Sequence, residues 1–215
     1  MGLQEKLDEY KKAFRARTSP EVLETMRQAL RKIKESVNME EVIKAGTRAS
    51  EFELPNTRGE MIRSAALLER GPLVVSFFRG AWRGYCNLEL AALEKADSEI
   101  RSLGAELVAI SPQRGDFLGE LVRKHDLTFD LLSDSGNRVA AKYGIVFSLP
   151  DELRKVYMAR GTDLPRFNDD DSWTLPMPSR FIIDRQGIIR RAYANPDQSI
   201  RTEPSDTIEA LKALK

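Results

Sequence analysis

Apolar positions in the first 45 residues recur at helical spacing and are separated by charged positions. One stripe consists of Leu3, Leu7, Tyr10 and Phe14. Residues 18–21 (Thr-Ser-Pro-Glu) are typical of a helix start, with proline at an early helical position. A second stripe then follows at Val22, Met26, Leu30 and Ile33. We therefore predict an N-terminal helical extension over residues 1–45, a hairpin of two helices that packs on the body of the protein or, in a homodimer, on a second subunit.

From residue 46 onward, short apolar runs alternate with helical patterns. Residues 73–78 and 107–111 are continuous apolar runs, which are typical of buried central strands. A shorter strand is predicted at 129–133, and a hairpin at 181–193 around an Asp-Arg-Gln-Gly turn. Helices are predicted at 86–103, 116–125, 138–143, 150–159 and 202–214. This order predicts an α/β domain over residues 46–215, with a central mixed β-sheet flanked by helices on both faces.

Composition and charge exclude several classes of partner. The chain has 215 residues, of which 31% are charged, but its formal net charge is only +1. No global field favours nucleic acid or an anionic membrane surface. The apolar runs are too short to span a bilayer, and the first residues contain no apolar leader. We expect a cytoplasmic protein that binds neither nucleic acid nor membrane.

The chain contains one cysteine, Cys86, and one histidine, His125. A single cysteine forms no internal disulfide and builds no thiolate zinc site. His125 lies in a charged stretch and is interpreted as a solvated residue at a helix end. Asp163 and the acidic residues 169–171 are interpreted as a solvated loop, because nothing fixes the ligand spacing of a divalent metal site. We expect neither a metal site nor a cofactor.

The segment with the clearest chemical potential is residues 77–89, FFRGAWRGYCNLE, which leaves a buried strand and enters a helix. Cys86 falls near the helix N-terminus, where free backbone N–H groups and the helix dipole stabilise a thiolate. Arg79 and Arg83 are close in sequence and could either stabilise the thiolate further or hold an oxygen-bearing substrate. The alternative is a buried structural cysteine, and position alone does not decide between the two.

This segment resembles the active-site segment of the AhpC/TSA branch of peroxiredoxins, whose pattern is F-[YF]-P-x-x-x-[TS]-x-x-C-x-x-E. Phe77 and Phe78 match the aromatic pair, Cys86 falls on the peroxidatic cysteine, and Glu89 falls on the acidic residue three positions later. The resemblance implies a thioredoxin-like fold and a redox-active Cys86.

Further motifs are similar to those of the same family and occur in the same order. Residues 44–55 resemble K-x-G-x-x-A-P-x-F-x-L, and residues 110–112 and 132–134 resemble the family's A-I-S-x and L-S-D segments. Residues 181–190 are similar to F-x-I-D-x-x-G-x-I-R. The resemblance thus extends from residue 44 towards the C-terminus.

The chain departs from the family pattern at three positions. Arg79 stands in place of proline, Arg83 in place of the Thr or Ser whose hydroxyl helps activate peroxide, and Pro178 in place of a thiolate-stabilising arginine. Close relatives carry W-C-P-Y-C here, so Arg83 also replaces the first cysteine of a C-x-x-C pair, and dithiol exchange within the motif is impossible. Pro178 instead resembles the proline of the thioredoxin loop, which predicts a cis Met177–Pro178 bond and a loop lying against Cys86.

The preferred interpretation implied by the resemblance is a 1-Cys peroxiredoxin-like thiol peroxidase. Cys86 would attack a hydroperoxide to give a sulfenic acid, which an external thiol such as glutathione or a thioredoxin-like protein would reduce. Arg83 and Glu89 are assigned catalytic roles beside Cys86. The expected substrate-binding residues are Arg79, Trp82 and Pro178, although Trp82 is equally explained by packing against the helical extension.

Two alternatives remain open at this stage. A monothiol disulfide oxidoreductase is favoured by Pro178 and opposed by the missing first cysteine. A degenerate, non-catalytic thioredoxin-like binding module is favoured by the combined loss of the Thr or Ser hydroxyl and of the second cysteine.

Overall fold

The computed structural model describes residues 1–214 and contains helices and strands in an alternating order. The helices are α1 (Leu3–Ala16), α2 (Pro20–Ser36), α3 (Ser64–Arg70), α4 (Gly84–Ser102), α5 (Gly115–His125), α6 (Arg138–Lys142), α7 (Asp151–Ala159), α8 (Leu164–Asn168) and α9 (Pro204–Lys212). The strands are β1 (Glu53–Pro55), β2 (Met61–Arg63), β3 (Leu73–Phe77), β4 (Glu106–Ser111), β5 (Asp130–Ser133), β6 (Val146–Ser148), β7 (Thr174–Pro176), β8 (Ser179–Ile183) and β9 (Ile189–Ala194).

Five strands form a central mixed sheet in the order β5-β4-β3-β8-β9. The pairs β3–β4 and β4–β5 are parallel, whereas β8 runs antiparallel to both of its neighbours, β3 and β9. Strand β3 lies in the middle, with Phe77 opposite Ile110 on one side and Ser179 on the other. The predicted central mixed sheet with flanking helices is therefore confirmed.

The side chains of β3 alternate between two apolar cores, one on each face of the sheet. Leu73, Val75 and Phe77 point into the core that includes α6 and α7, and Val74 points into the core covered by α4, α5 and α9. Every residue of β3 is buried, which explains why this strand is a continuous apolar run. The carboxyl end of β3 leads directly to the segment that carries Cys86.

The N-terminal hairpin packs on the body of the same chain. The Ser19 hydroxyl accepts a hydrogen bond from Val22 N and begins α2, with Pro20 as its first residue. Helix α1 lies on α4, where the rings of Tyr10 and Tyr85 meet edge to face with centroids 4.9 Å apart. Helix α2 lies on α7. The division of the chain at residues 45 and 46 into an extension and a domain stays a prediction.

A loop from the far end of the sequence also contacts the N-terminus of α1. The Glu203 carboxylate accepts hydrogen bonds from Leu3 N at 2.8 Å and Gln4 N at 2.7 Å. Gln4 Nε2 and Lys11 Nζ donate to Ser199 in the same loop. Residues 195–203 therefore connect the helical hairpin to the domain. Among residues 1–214, no helix has the length and apolar character that crossing a membrane requires.

Candidate functional site

Cys86 is the third residue of α4, at the carboxyl end of β3. Its backbone N–H donates to Arg83 O at 3.0 Å in the first turn of the helix. The side chain is a free thiol with 0% exposure, packed in the core that contains Val74, Phe78 and Leu90. The placement of Cys86 at a helix N-terminus is as predicted. Its complete burial means that any reagent reaches the thiol only after a local opening of the structure.

Arg79 and Arg83 are brought together by one acceptor. Arg79 Nη1 and Arg83 Nε both donate to Gln198 Oε1, at 2.8 Å and 2.7 Å. Arg79 is 3% exposed, and its guanidinium lies over the ring of Phe147. Its remaining partners are the backbone carbonyls of Pro176 and Pro196, both at 3.4 Å. The two arginines that replace family residues thus share one neutral acceptor, the side-chain amide oxygen of Gln198.

The charge of Arg79 is only weakly compensated. Burial lowers the pKa of its guanidinium to about 10, and the positive charges of Arg83 and Arg201 act in the same direction. Negative charge on Tyr157 or Cys86 has the opposite effect on this pKa. A negative charge on Cys86 would therefore favour the charged form of Arg79.

Glu89, one turn after Cys86, forms a buried ionic cluster with two arginines. Its Oε1 accepts from Arg180 Nη2 at 2.8 Å and its Oε2 accepts from Arg201 Nε at 2.7 Å. All three side chains are at most 3% exposed. Arg180 also donates to the Thr207 hydroxyl at the start of α9. Glu89 therefore fixes α4 to β8 and to the loop before α9.

The structure places Trp82 beside α7 and in the wall of a cavity, whereas packing of its ring against the helical extension stays a prediction. Its ring packs edge to face on Tyr157 of α7, with centroids 5.4 Å apart. It also lines a cavity of about 220 Å³ together with Tyr10, Phe14 and Arg83. The cavity lies beneath the helical hairpin. Trp82 thus packs on α7 and also shapes a pocket.

The prediction of a cis Met177–Pro178 bond is wrong, because the bond is trans; that the loop lies against Cys86 stays a prediction. Met177 N donates to Ile145 O, and Pro178 O accepts from Asn195 N. These contacts hold the backbone extended between β7 and β8, so the chain makes no tight turn at this point. Pro178 lines a cavity of about 280 Å³ that is also bounded by Glu89.

Several residues of the site were not predicted from the sequence. Gln198, Arg180 and Arg201 lie about 90 to 120 positions after the cysteine segment and reach it only through the tertiary fold. Only Arg180 could have been found from the sequence. It is a charged residue at the start of an apolar strand, and a charge buried there requires a counterion. Gln198 lies in an irregular loop that resembles any polar surface segment.

Comparison with known proteins identifies the family. Residues 45–192 match the AhpC/TSA family, and the chain belongs to that family. Peroxiredoxin Q, chloroplastic, from Sedum lineare is 25% identical over 173 residues, which cover 79% of this chain and 78% of the relative. Peroxiredoxin Bcp from Escherichia coli strain K12 is 28% identical over 103 residues, covering 48% of this chain and 65% of the relative. The family resemblance seen in the sequence motifs is therefore confirmed.

Solved structures support the same fold. Peroxidoxin BcpB from Mycobacterium tuberculosis superposes with a TM-score of 0.64 at 21% identity, over 80% of this chain and 99% of that chain. A yeast mitochondrial 1-Cys peroxiredoxin superposes with a TM-score of 0.63 at 18% identity, over 80% of this chain and 76% of that chain. The predicted thioredoxin-like fold is confirmed.

Proposed function

We propose that the protein is a thiol-dependent peroxidase that uses Cys86 as its only redox-active cysteine. Its relatives are peroxiredoxins, which supports thiol peroxidase as the class of activity. The observation that carries the proposal is the position of Cys86 in the first turn of α4, on the same segment as the buried Arg79 guanidinium. A helix N-terminus and a buried cation both stabilise a thiolate.

One cycle of the proposed reaction consumes one hydroperoxide and two equivalents of external thiol. The Cys86 thiolate attacks the terminal oxygen of a hydroperoxide, so that a sulfur–oxygen bond forms, the oxygen–oxygen bond breaks, and an alcohol leaves after taking up a proton. Arg83 and Arg79 orient the peroxide and stabilise the departing oxygen in place of the family's hydroxyl. A first external thiol then displaces water from the sulfenic acid, and a second releases the resulting mixed disulfide.

An external reductant is required because Cys86 is the only cysteine in the sequence. The yeast 1-Cys peroxiredoxin that shares this fold is described with glutathione and thioredoxin systems as the source of the resolving thiol. We extend both to this chain as candidate reductants. The trans Met177–Pro178 bond removes the sequence argument for monothiol disulfide exchange.

One observation favours the non-catalytic alternative, namely the complete burial of Cys86. A thiol in an apolar core with 0% exposure is also what a structural cysteine in a degenerate binding module would show. The two functions differ in whether the thiol reacts with peroxide at all.

The test is titration of the reduced protein with hydrogen peroxide and with an alkyl hydroperoxide, with sulfenate detected by a trapping reagent and mass spectrometry. The expected result is stoichiometric sulfenate that glutathione or thioredoxin reduces, with none in Cys86→Ser. An inert thiol in the folded native protein would exclude the peroxidase and leave the binding module. A mixed disulfide formed directly from a disulfide substrate, without any sulfenate, would instead indicate monothiol exchange.

A further inference from the structure

A cavity of about 230 Å³ lies between the N-terminal hairpin, α7 and the Arg79–Arg83 pair. Its apolar wall is formed by Phe14, Leu23, Met26, Leu30, Ile33 and Leu153. The cavity beside Trp82, of about 220 Å³, has Phe14, Met26, Arg83 and Gln198 in common with it. The two cavities together form a space with an apolar wall and two guanidinium groups at one end, and the rest of the lining includes the Asp197 carboxylate and the basic side chains of Lys11, Arg15, Arg17, Arg27 and Arg160.

The charges at that end have no anionic partner. Arg79 and Arg83 share the neutral oxygen of Gln198, and within residues 1–214 neither guanidinium has a carboxylate at ion-pair distance. Two other buried arginine side chains, Arg180 and Arg201, do have a carboxylate partner, because both pair with Glu89. Arg79 is buried and Arg83 is half-buried, and because buried charges are normally paired, two adjacent guanidinium groups without a carboxylate partner beside a cavity indicate a place for an anion.

We infer that the two cavities together, which we call the hairpin cavity, bind an amphipathic carboxylate with a single hydrocarbon chain. The carboxylate would accept hydrogen bonds from Arg79 and Arg83 in place of Gln198 Oε1, because a guanidinium donates to a carboxylate in fork geometry. The hydrocarbon chain would lie along the apolar wall of α1 and α2. The inference goes beyond the proposed peroxidase function, since binding requires no reaction at Cys86.

The experiment is isothermal titration calorimetry of the full-length, reduced protein with decanoate below its micelle concentration. Decanol carries the same chain without the charge, decylamine carries the opposite charge, and acetate carries the head group alone. The expected result is one decanoate per chain, bound at least 10-fold more tightly than each of the three comparison compounds. Absence of decanoate binding, or equal binding of decanoate and decanol, would overturn the inference.

Variants locate the binding and separate it from folding. Arg83→Gln is expected to weaken decanoate binding at least 10-fold, whereas Arg31→Gln, which removes a charge from the exposed face of α2, is expected to leave it unchanged. Gln198→Ala frees both guanidinium groups from their present acceptor and is expected to tighten decanoate binding several-fold. Unaltered affinity in both Arg83→Gln and Gln198→Ala would show that decanoate binds elsewhere. Thermal unfolding of each variant confirms that it is folded, and Cys86→Ser is expected to bind as the native protein does.

Discussion

The buried arginines around α4 differ in how their charges are compensated, and Glu89 is the residue on which this difference depends. It pairs with both Arg180 and Arg201, through 2.8 Å and 2.7 Å contacts, while Arg79 has only neutral acceptors. Removing one partner of a buried ion pair leaves an uncompensated charge in a low-dielectric environment. Glu89 was assigned to catalysis from its motif, and this assignment stays a prediction, whereas its contacts give it a structural role as well.

Glu89→Gln is therefore expected to destabilise the fold strongly. The amide keeps the shape of the side chain but removes the negative charge between two buried guanidinium groups, which costs about 3–5 kcal/mol. Urea unfolding, with the free energy taken from midpoint and slope, measures this loss. Glu99→Gln on the same helix is the control, because Glu99 is half exposed and pairs with Lys212 at the surface. Equal unfolding curves for Glu89→Gln and the native protein would contradict the assignment.

Arg83 is expected to speed the reaction of Cys86 with peroxide. Arg83→Met keeps an unbranched stem that reaches the position of Nε and removes the charge and the donors, so oxidation should slow by roughly 10- to 100-fold. Stopped-flow measurement of peroxide-dependent thiol loss gives the rate, and Arg31→Met serves as a surface control. Faster oxidation in Arg83→Thr, which restores the family's hydroxyl, would identify Arg83 as a blocking residue instead.

Contacts between elements make the first residue of α4 a sensitive position. A Cβ at Gly84 would overlap the Tyr10 ring of α1, so glycine is what allows α1 to lie this close to the cysteine segment. Gly84→Ala is expected to cost about 1–3 kcal/mol of stability through this overlap. A double-mutant cycle with Tyr10→Ala measures it: the cost of Gly84→Ala should largely disappear when the ring is absent.

Gly115→Ala provides the matched control, because Gly115 is also the first residue of its helix, α5, and a Cβ there meets no neighbouring atom within 4 Å. A small loss of stability in Gly115→Ala together with a large loss in Gly84→Ala would assign the cost to the contact with α1. Additive effects of Gly84→Ala and Tyr10→Ala would show that the overlap is absorbed elsewhere.

The elements that the sequence predicted best are those with a strong local pattern. The apolar run at 73–78 became β3, and the stripes of the first 45 residues became α1 and α2, because continuous or periodic apolar positions report directly which faces are buried. The three-residue strands β1, β2, β6 and β7 and the short helices α3 and α8 were not predicted, since elements this short contain fewer than two full periods of the pattern.

The candidate site was predicted only where its residues are local in sequence. Cys86, Arg79 and Arg83 lie on one segment and could be placed from the strand-to-helix transition. Gln198 and Arg201 come from a loop more than 100 residues later, and only the antiparallel addition of β8 and β9 returns that loop to α4. The trans bond before Pro178 was missed for the same reason, because the backbone partners that hold it extended come from distant segments.

At the scale of the whole molecule, residues 195–203 connect the Arg79–Arg83 pair, Glu89 and helix α1. Gln198 holds the two arginines, Arg201 pairs with Glu89, and Glu203 binds the N-terminus of α1. Helix α1 in turn covers Tyr85, the residue before the cysteine, through the ring of Tyr10. Movement of α1 would therefore uncover Tyr85, the residue that precedes Cys86.

Loosening the attachment of α1 is expected to make Cys86 more reactive. Glu203→Gln removes the negative charge that accepts from Leu3 N and Gln4 N, a loss comparable to that of a helix N-cap, about 1–2 kcal/mol. If α1 must move for a reagent to reach the buried thiol, this raises the population of the open form roughly 5- to 30-fold. The rate of Cys86 modification by a bulky aromatic disulfide, measured in the native protein, should rise by that factor. Glu209→Gln removes an exposed carboxylate that pairs with Lys212 on α9 and should leave the rate unchanged. Equal rates in both variants would mean that the thiol becomes accessible by a route that leaves α1 in place, such as a local opening of the first turn of α4.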